Sequence, residues 1–201
     1  MNRLPVYFIS VWLKFLILLT PFFVLSMFLT LTRGEREAQR RRTALQVTGA
    51  VMVGALVLYF FGNWIFTVLG ITIDAFRVGG GGLLFLSAVS LVRGDASAAK
   101  APPGDDIAVV PLATPVTIGP ATAGALLVMG AERRQLIEHL VGCAALLTSI
   151  LAVGVMLLAA APIHRLLGDR GLSILGKLTG LGLAAIAAQM ILTGLANVLA
   201  G

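Results

Sequence analysis

Two Thr-Pro pairs, Thr20-Pro21 and Thr114-Pro115, stand inside long apolar segments. A proline within a helix removes one backbone hydrogen bond and clashes with the preceding turn. The amides and carbonyls freed in this way must meet protein, water or a solute, because lipid cannot satisfy them. The second pair is the more disrupted: Pro111, Pro115 and Pro120 follow one another closely, with Thr117 and Gly119 among them. Broken half-helices offer amides to a carboxylate and carbonyls to an ammonium group or a cation. Thr20, Pro21, Thr114, Pro115, Thr117, Gly119 and Pro120 are therefore the candidate substrate-binding residues, with Gln189 added as an amide deep in the last apolar segment. The plainer alternative is a pair of kinked helices whose threonines bond back to their own backbone.

Ionisable side chains at membrane depth are functional candidates by default. Asp74 and Arg77, three residues apart, suit an ion pair on one helix face. Lys177 begins the last apolar segment as Arg77 begins the third. These three are the charge or coupling candidates, with snorkelling to the interface as the bland role for the two cations. Gln189 and Asn197 suit interhelical hydrogen bonds. No metal site is expected: His139 and His164 bracket one apolar segment, and Cys143 is the single cysteine. There is no His-Glu-x-x-His motif, no pair of mid-membrane aspartates and no serine matched to a histidine, so neither an enzyme nor a cofactor is expected.

The elements that position these groups follow from where charge is missing. The 201 residues are 58% hydrophobic and 12% charged, against about a quarter charged in soluble chains. Uncharged runs cover 15–32, 43–73, 78–92, 107–131, 140–163 and 178–201. At roughly 20 residues per crossing these fit six transmembrane helices, read as 6–30, 43–63, 72–92, 107–130, 137–160 and 176–199. The fold class is an all-α polytopic membrane protein. The net charge of +6 reflects loops on the cytoplasmic face rather than nucleic-acid binding. Nine Lys and Arg lie in the 31–42, 93–106 and 161–175 loops. These loops are expected inside, which leaves both termini outside the cytoplasm. Lys14 interrupts the first apolar run and no cleavage site follows, so that run reads as a mature helix rather than a signal peptide.

The halves repeat. Thr20-Pro21 answers Thr114-Pro115; Arg77, Gly80, Gly82 and Leu83 answer Lys177, Gly180, Gly182 and Leu183; Gly94 answers Gly194. Residues 1–92 form the first three-helix repeat, 93–106 a cytoplasmic linker and 107–201 the second. Three crossings per repeat force opposite orientations, the ground plan of many secondary transporters. The two breaks are expected to face each other near the midplane. The function expected is transport of a small solute, with a neutral amino acid as the leading class. A passive channel and a non-transporting structural or assembly protein are the rivals. Partners are the lipid bilayer and the solute, with self-association left open.

Three segments carry a family resemblance. The stretch from Asp74 to Ala88, with Gly79-Gly80-Gly81-Gly82, resembles the third helix of the MarC family, the multiple-antibiotic-resistance-related membrane proteins. Asp106 to Pro115, continuing through Ile118-Gly119-Pro120, resembles its fourth helix, and Gly182 to Leu192 its sixth. The resemblance implies six helices in the bacterial cytoplasmic membrane, small-molecule transport associated in some members with neutral amino acids, and kinship with lysine exporters. One departure matters. The family carries Asn-Pro followed by glycine in its first helix, and here Thr20-Pro21-Phe22-Phe23 stands in that place. The resemblance thus implies a smaller, less polar first half of the pocket.

Overall fold

The computed structural model describes residues 3–94, 120–131 and 136–200, and every regular element among them is helical. The first apolar run folds as two helices, α1 (Arg3–Leu18) and α2 (Pro21–Leu31). Pro21 cannot continue α1 and instead occupies the first turn of α2, where its missing N–H costs nothing. α3 (Glu37–Leu69) ends on Gly70 at φ 63, and α4 (Ile73–Arg93) ends on Gly94 at φ 81, both left-handed caps suited to glycine. α4 opens on Thr72, whose hydroxyl accepts the Ala75 N–H at 3.2 Å. α5 (Pro120–Ala131), α6 (Leu136–Leu158) and α7 (Ala160–Ala200) complete the described chain. Five stretches are long and apolar enough to cross a membrane: Pro5–Leu31, Glu37–Gly62, Ile73–Arg93, Leu136–Leu158 and Ala160–Ala200. Of the fourth expected crossing, only its last turns, in α5, lie within the described residues.

Two expected loops are corrected. The 31–42 loop is short, because α3 begins at Glu37 and carries Arg40, Arg41 and Arg42 on its first turns. A helix can run past the hydrocarbon when its exposed charges pair, and Arg41 bonds Glu37 one turn away at 2.6 Å. The 161–175 loop is also helical. It belongs to α7, whose one non-helical residue is Gly168 at φ 63 and ψ 177. Pro162 sits in the first turn and is tolerated there, so only the glycine breaks the ladder.

Small residues set the packing. α4 and α7 run antiparallel in close contact, and a Cβ on Gly81 would meet Ile191 Cγ1 at 2.8 Å, while one on Gly194 would meet the Asp74 carbonyl oxygen at 2.7 Å. α3 crosses α5 just as tightly: a Cβ on Gly130 would stand 2.0 Å from the Tyr59 carbonyl oxygen. Without a hydrophobic drive between helices in lipid, such backbone proximity supplies the packing energy. α1 rests on α6, α2 on α7, α4 on α5, and α3 also on α6. The core holds Phe15, Phe28, Tyr59, Leu126 and Ile150, all fully buried, whereas Leu86, Val155 and Leu192 face outward as a lipid-facing surface requires.

Candidate functional site

The break in the first span is locally strained. Thr20 adopts φ 45 and ψ 57, and it is the one non-glycine with positive φ among the described residues. For a β-branched residue this left-handed geometry is a true outlier costing about 1–2 kcal/mol. Such strain persists only where the surroundings over-determine it, and it gathers at functional sites. Here the Leu19 and Thr20 amides close the end of α1 on Phe15 and Ile17, while the Thr20 carbonyl accepts from Phe23 and Val24 at 3.0 Å to start α2. Thr20 itself is buried and its hydroxyl forms no capping bond.

The second half reaches this break. The Thr122 hydroxyl, in the first turn of α5, donates to the Leu18 carbonyl at 3.5 Å. In an unbroken helix that carbonyl would accept from residue 22. α5 therefore begins where α1 stops. Thr114, Pro115, Thr117 and Gly119 lie outside the described residues, as does the 95–106 portion of the expected linker. Pro120 is the first residue of α5.

A cavity of about 610 Å³ begins at Phe22 and Phe23, the residues that follow the break in the chain. Phe22 and Phe23 form its inner wall, Ser26 and Thr30 its flank along α2, and Leu172 and Gly176 its flank along α7. Its outer part is lined by Arg33, Arg40, Arg165 and Lys177, together with His164 and Asp169. The last two bond each other, His164 Nε2 to Asp169 Oδ1, at 2.9 Å. The ends of α2 and α4 thus meet the starts of α3 and α7 around one opening, where the expected inside loops converge.

The matched cations occupy opposite environments. Lys177 lines the cavity. Arg77 donates from Nη1 to Asp74 Oδ1, and Asn197 Nδ2 donates to the same oxygen at 2.9 Å, joining α4 to the far end of α7. Asn197 is thus an interhelical donor, as its place in the sequence leads one to expect. Gln189 is exposed and bonds Thr193 on its own helix at 3.2 Å, away from the break. Sequence reasoning missed Arg40, His164 and Asp169 as cavity residues. Their convergence depends on α3 and α7 being helical through segments read as loops.

Comparison with known proteins defines the class. Residues 5–199 match the family described as MarC family integral membrane protein, and the chain belongs to that family. It is 34% identical to a UPF0056 membrane protein of Methanocaldococcus jannaschii, covering 96% of this chain and 98% of the relative. A UPF0056 membrane protein of Aquifex aeolicus is 33% identical over 99% and 97% of the two chains. The UPF0056 inner membrane protein YhgN of Escherichia coli K12 is 29% identical over 93% and 95%. No solved structure matches.

Proposed function

We propose that this MarC-family protein is a secondary transporter of a small solute, of the neutral amino acid class, whose path runs through the Thr20-Pro21 break and the cavity beneath it. One observation carries the reading: a strained, buried break that a second-half hydroxyl reaches, followed in the chain by Phe22 and Phe23, which line a cavity. The half-helix ends supply amides and carbonyls of fixed direction for the two ends of an amino acid. Thr114, Pro115, Thr117, Gly119 and Pro120 form the opposing half of the site in this reading, and Gln189 is left out because it is exposed.

The reading includes six crossings in two inverted repeats. Part of the packing supports this, since α4 on α5 is answered by α7 on α2, and α4–α7 and α3–α6 pair with each other. The basic end faces the cytoplasm and both termini lie outside, in a bacterial inner membrane. A cytoplasm-dependent reporter fused after Gly201 should be silent; strong activity there would reverse the orientation.

The direct test is counterflow. Proteoliposomes preloaded with unlabelled L-alanine should accumulate labelled L-alanine transiently and saturably. A non-saturating leak would favour a channel. No flux for any neutral amino acid would favour a structural role.

A further inference from the structure

The basic residues at the cavity mouth do more than mark one side of a membrane. Cations spread over loops would be enough to set orientation. Here Arg33 after α2, Arg40 on the first turns of α3, and Arg165 and Lys177 on α7 converge on one concavity. Arg36, Arg41, Arg42 and Arg170, on the same segments, are exposed and do not line it. Asp169 is the one acid among the described lining residues, and it is bonded to His164. Glu35, close by in the chain, does not line the cavity, and its Oε2 is buried without a hydrogen-bond partner.

Arg40 adds a second observation. It is half-buried, its Nη2 donates weakly to the Thr32 carbonyl at 3.4 Å, and its Nε is buried without a hydrogen-bond partner. A guanidinium holds its donors in a rigid fork matched to carboxylate and phosphate. Arg40 also lines the cavity, so the rest of its guanidinium is available to an anion there. A cleft lined by one sign of charge also focuses the field and raises local counter-ion concentration.

We infer that the mouth of the cavity is an anion-binding site, built by Arg33, Arg40, Arg165 and Lys177, that takes a carboxylate or phosphate group. Two sources share this chemistry: a free small anion, including the carboxylate of a transported solute, and the headgroup of an anionic lipid. The solute arm rests on the transport reading above; anion binding itself does not.

The test uses the full chain in nanodiscs and measures thermal unfolding, since a ligand that binds only the folded state raises apparent stability. In phosphatidylcholine discs, inorganic phosphate and acetate are titrated against chloride at matched ionic strength. Phosphatidylglycerol discs form the lipid arm. Arg40→Gln, Arg33→Gln and Lys177→Gln are compared with Arg42→Gln and Arg170→Gln, which remove the same charge outside the cavity. The expected result is stabilisation by phosphate or acetate that weakens about tenfold in half-saturation in the cavity variants and not in the outside pair. Stabilisation seen only with phosphatidylglycerol, and lost in the same variants, assigns the site to a lipid headgroup. No stabilisation in either arm, or equal loss in inside and outside variants, overturns the inference. L-alanine counterflow measured alongside separates the claims: flux without any anion response overturns the anion site alone, and anion response without flux overturns the transport reading alone.

Discussion

The two ends of the α4–α7 pair differ in nearly everything but symmetry. At one end Asp74, Arg77 and Asn197 tie the helices together, and the Asp74 backbone lies where a side chain on Gly194 would go. At the other, the equivalents Lys177 and Gly94 line open space, and a Cβ on Gly176 would meet nothing within 4 Å. Arg77 and the level of Lys177 are separated by 16 residues of α4, about 24 Å at the helical rise. The helices still touch near the second end, where a Cβ on Gly180 would meet Val92 Cγ2 at 2.9 Å, so the ends differ in what borders them and not in whether they pack.

The comparison is broken most severely by crowding the tied end. Gly194→Val should destabilise by about 3 kcal/mol, the upper range for overpacking, because the obstructing atom is a backbone oxygen. Gly176→Val at the open end should change the thermal midpoint little. Similar losses in both would mean the two ends are bordered alike.

Next in size is the clamp. Arg77→Gln leaves the half-buried Asp74 carboxylate without its cation, with an expected loss of about 1.5–3 kcal/mol for hydrogen bonds to charged groups. Lys177→Gln should leave stability unchanged.

Smaller effects sharpen the break itself. Thr114→Val and Thr117→Val each remove a hydroxyl and should weaken solute affinity roughly fivefold, about 1 kcal/mol. Thr20→Val should do less, because Phe22 and Phe23 crowd its break. Unchanged affinity in both helix-four variants, at matched stability, would move the site elsewhere. Thr20→Gly should raise stability by about 1 kcal/mol by relieving the left-handed strain, while slowing counterflow. A loss of stability would show that Thr20 is not strained.

Much of this architecture was legible because lipid makes the code strict. Uncharged runs located the described spans, and Pro21 located the break, since no helix can pass a proline without losing a bond. The Asp74–Arg77 pair followed from spacing alone. Two things were not legible. Residues 37–42 and 161–175 carry enough charge to read as loops, yet helix persists through them, as it can wherever water solvates the side chains. The meeting of Arg40, Arg165 and Lys177 depends on those extensions and on α2 packing against α7, a tertiary fact with no local signature. Gln189 misled for a related reason: its depth was clear, but the face it occupies was set by the α4–α7 glycine contacts, which turn it outward.

The central claim, that solute moves through the cavity between the break and the basic mouth, is tested most directly by blocking that cavity. Ser26 lines it, part-way along α2, and its hydroxyl bonds only back to Phe22 among the described contacts. Ser26→Cys and the lipid-facing Leu86→Cys, both in a Cys143→Ala background, would be reconstituted and modified with a bulky methanethiosulfonate. L-Alanine counterflow would then be measured before and after. The account predicts that modification abolishes counterflow in Ser26→Cys and leaves it intact in Leu86→Cys. Full counterflow through a completely modified Ser26→Cys protein would contradict it.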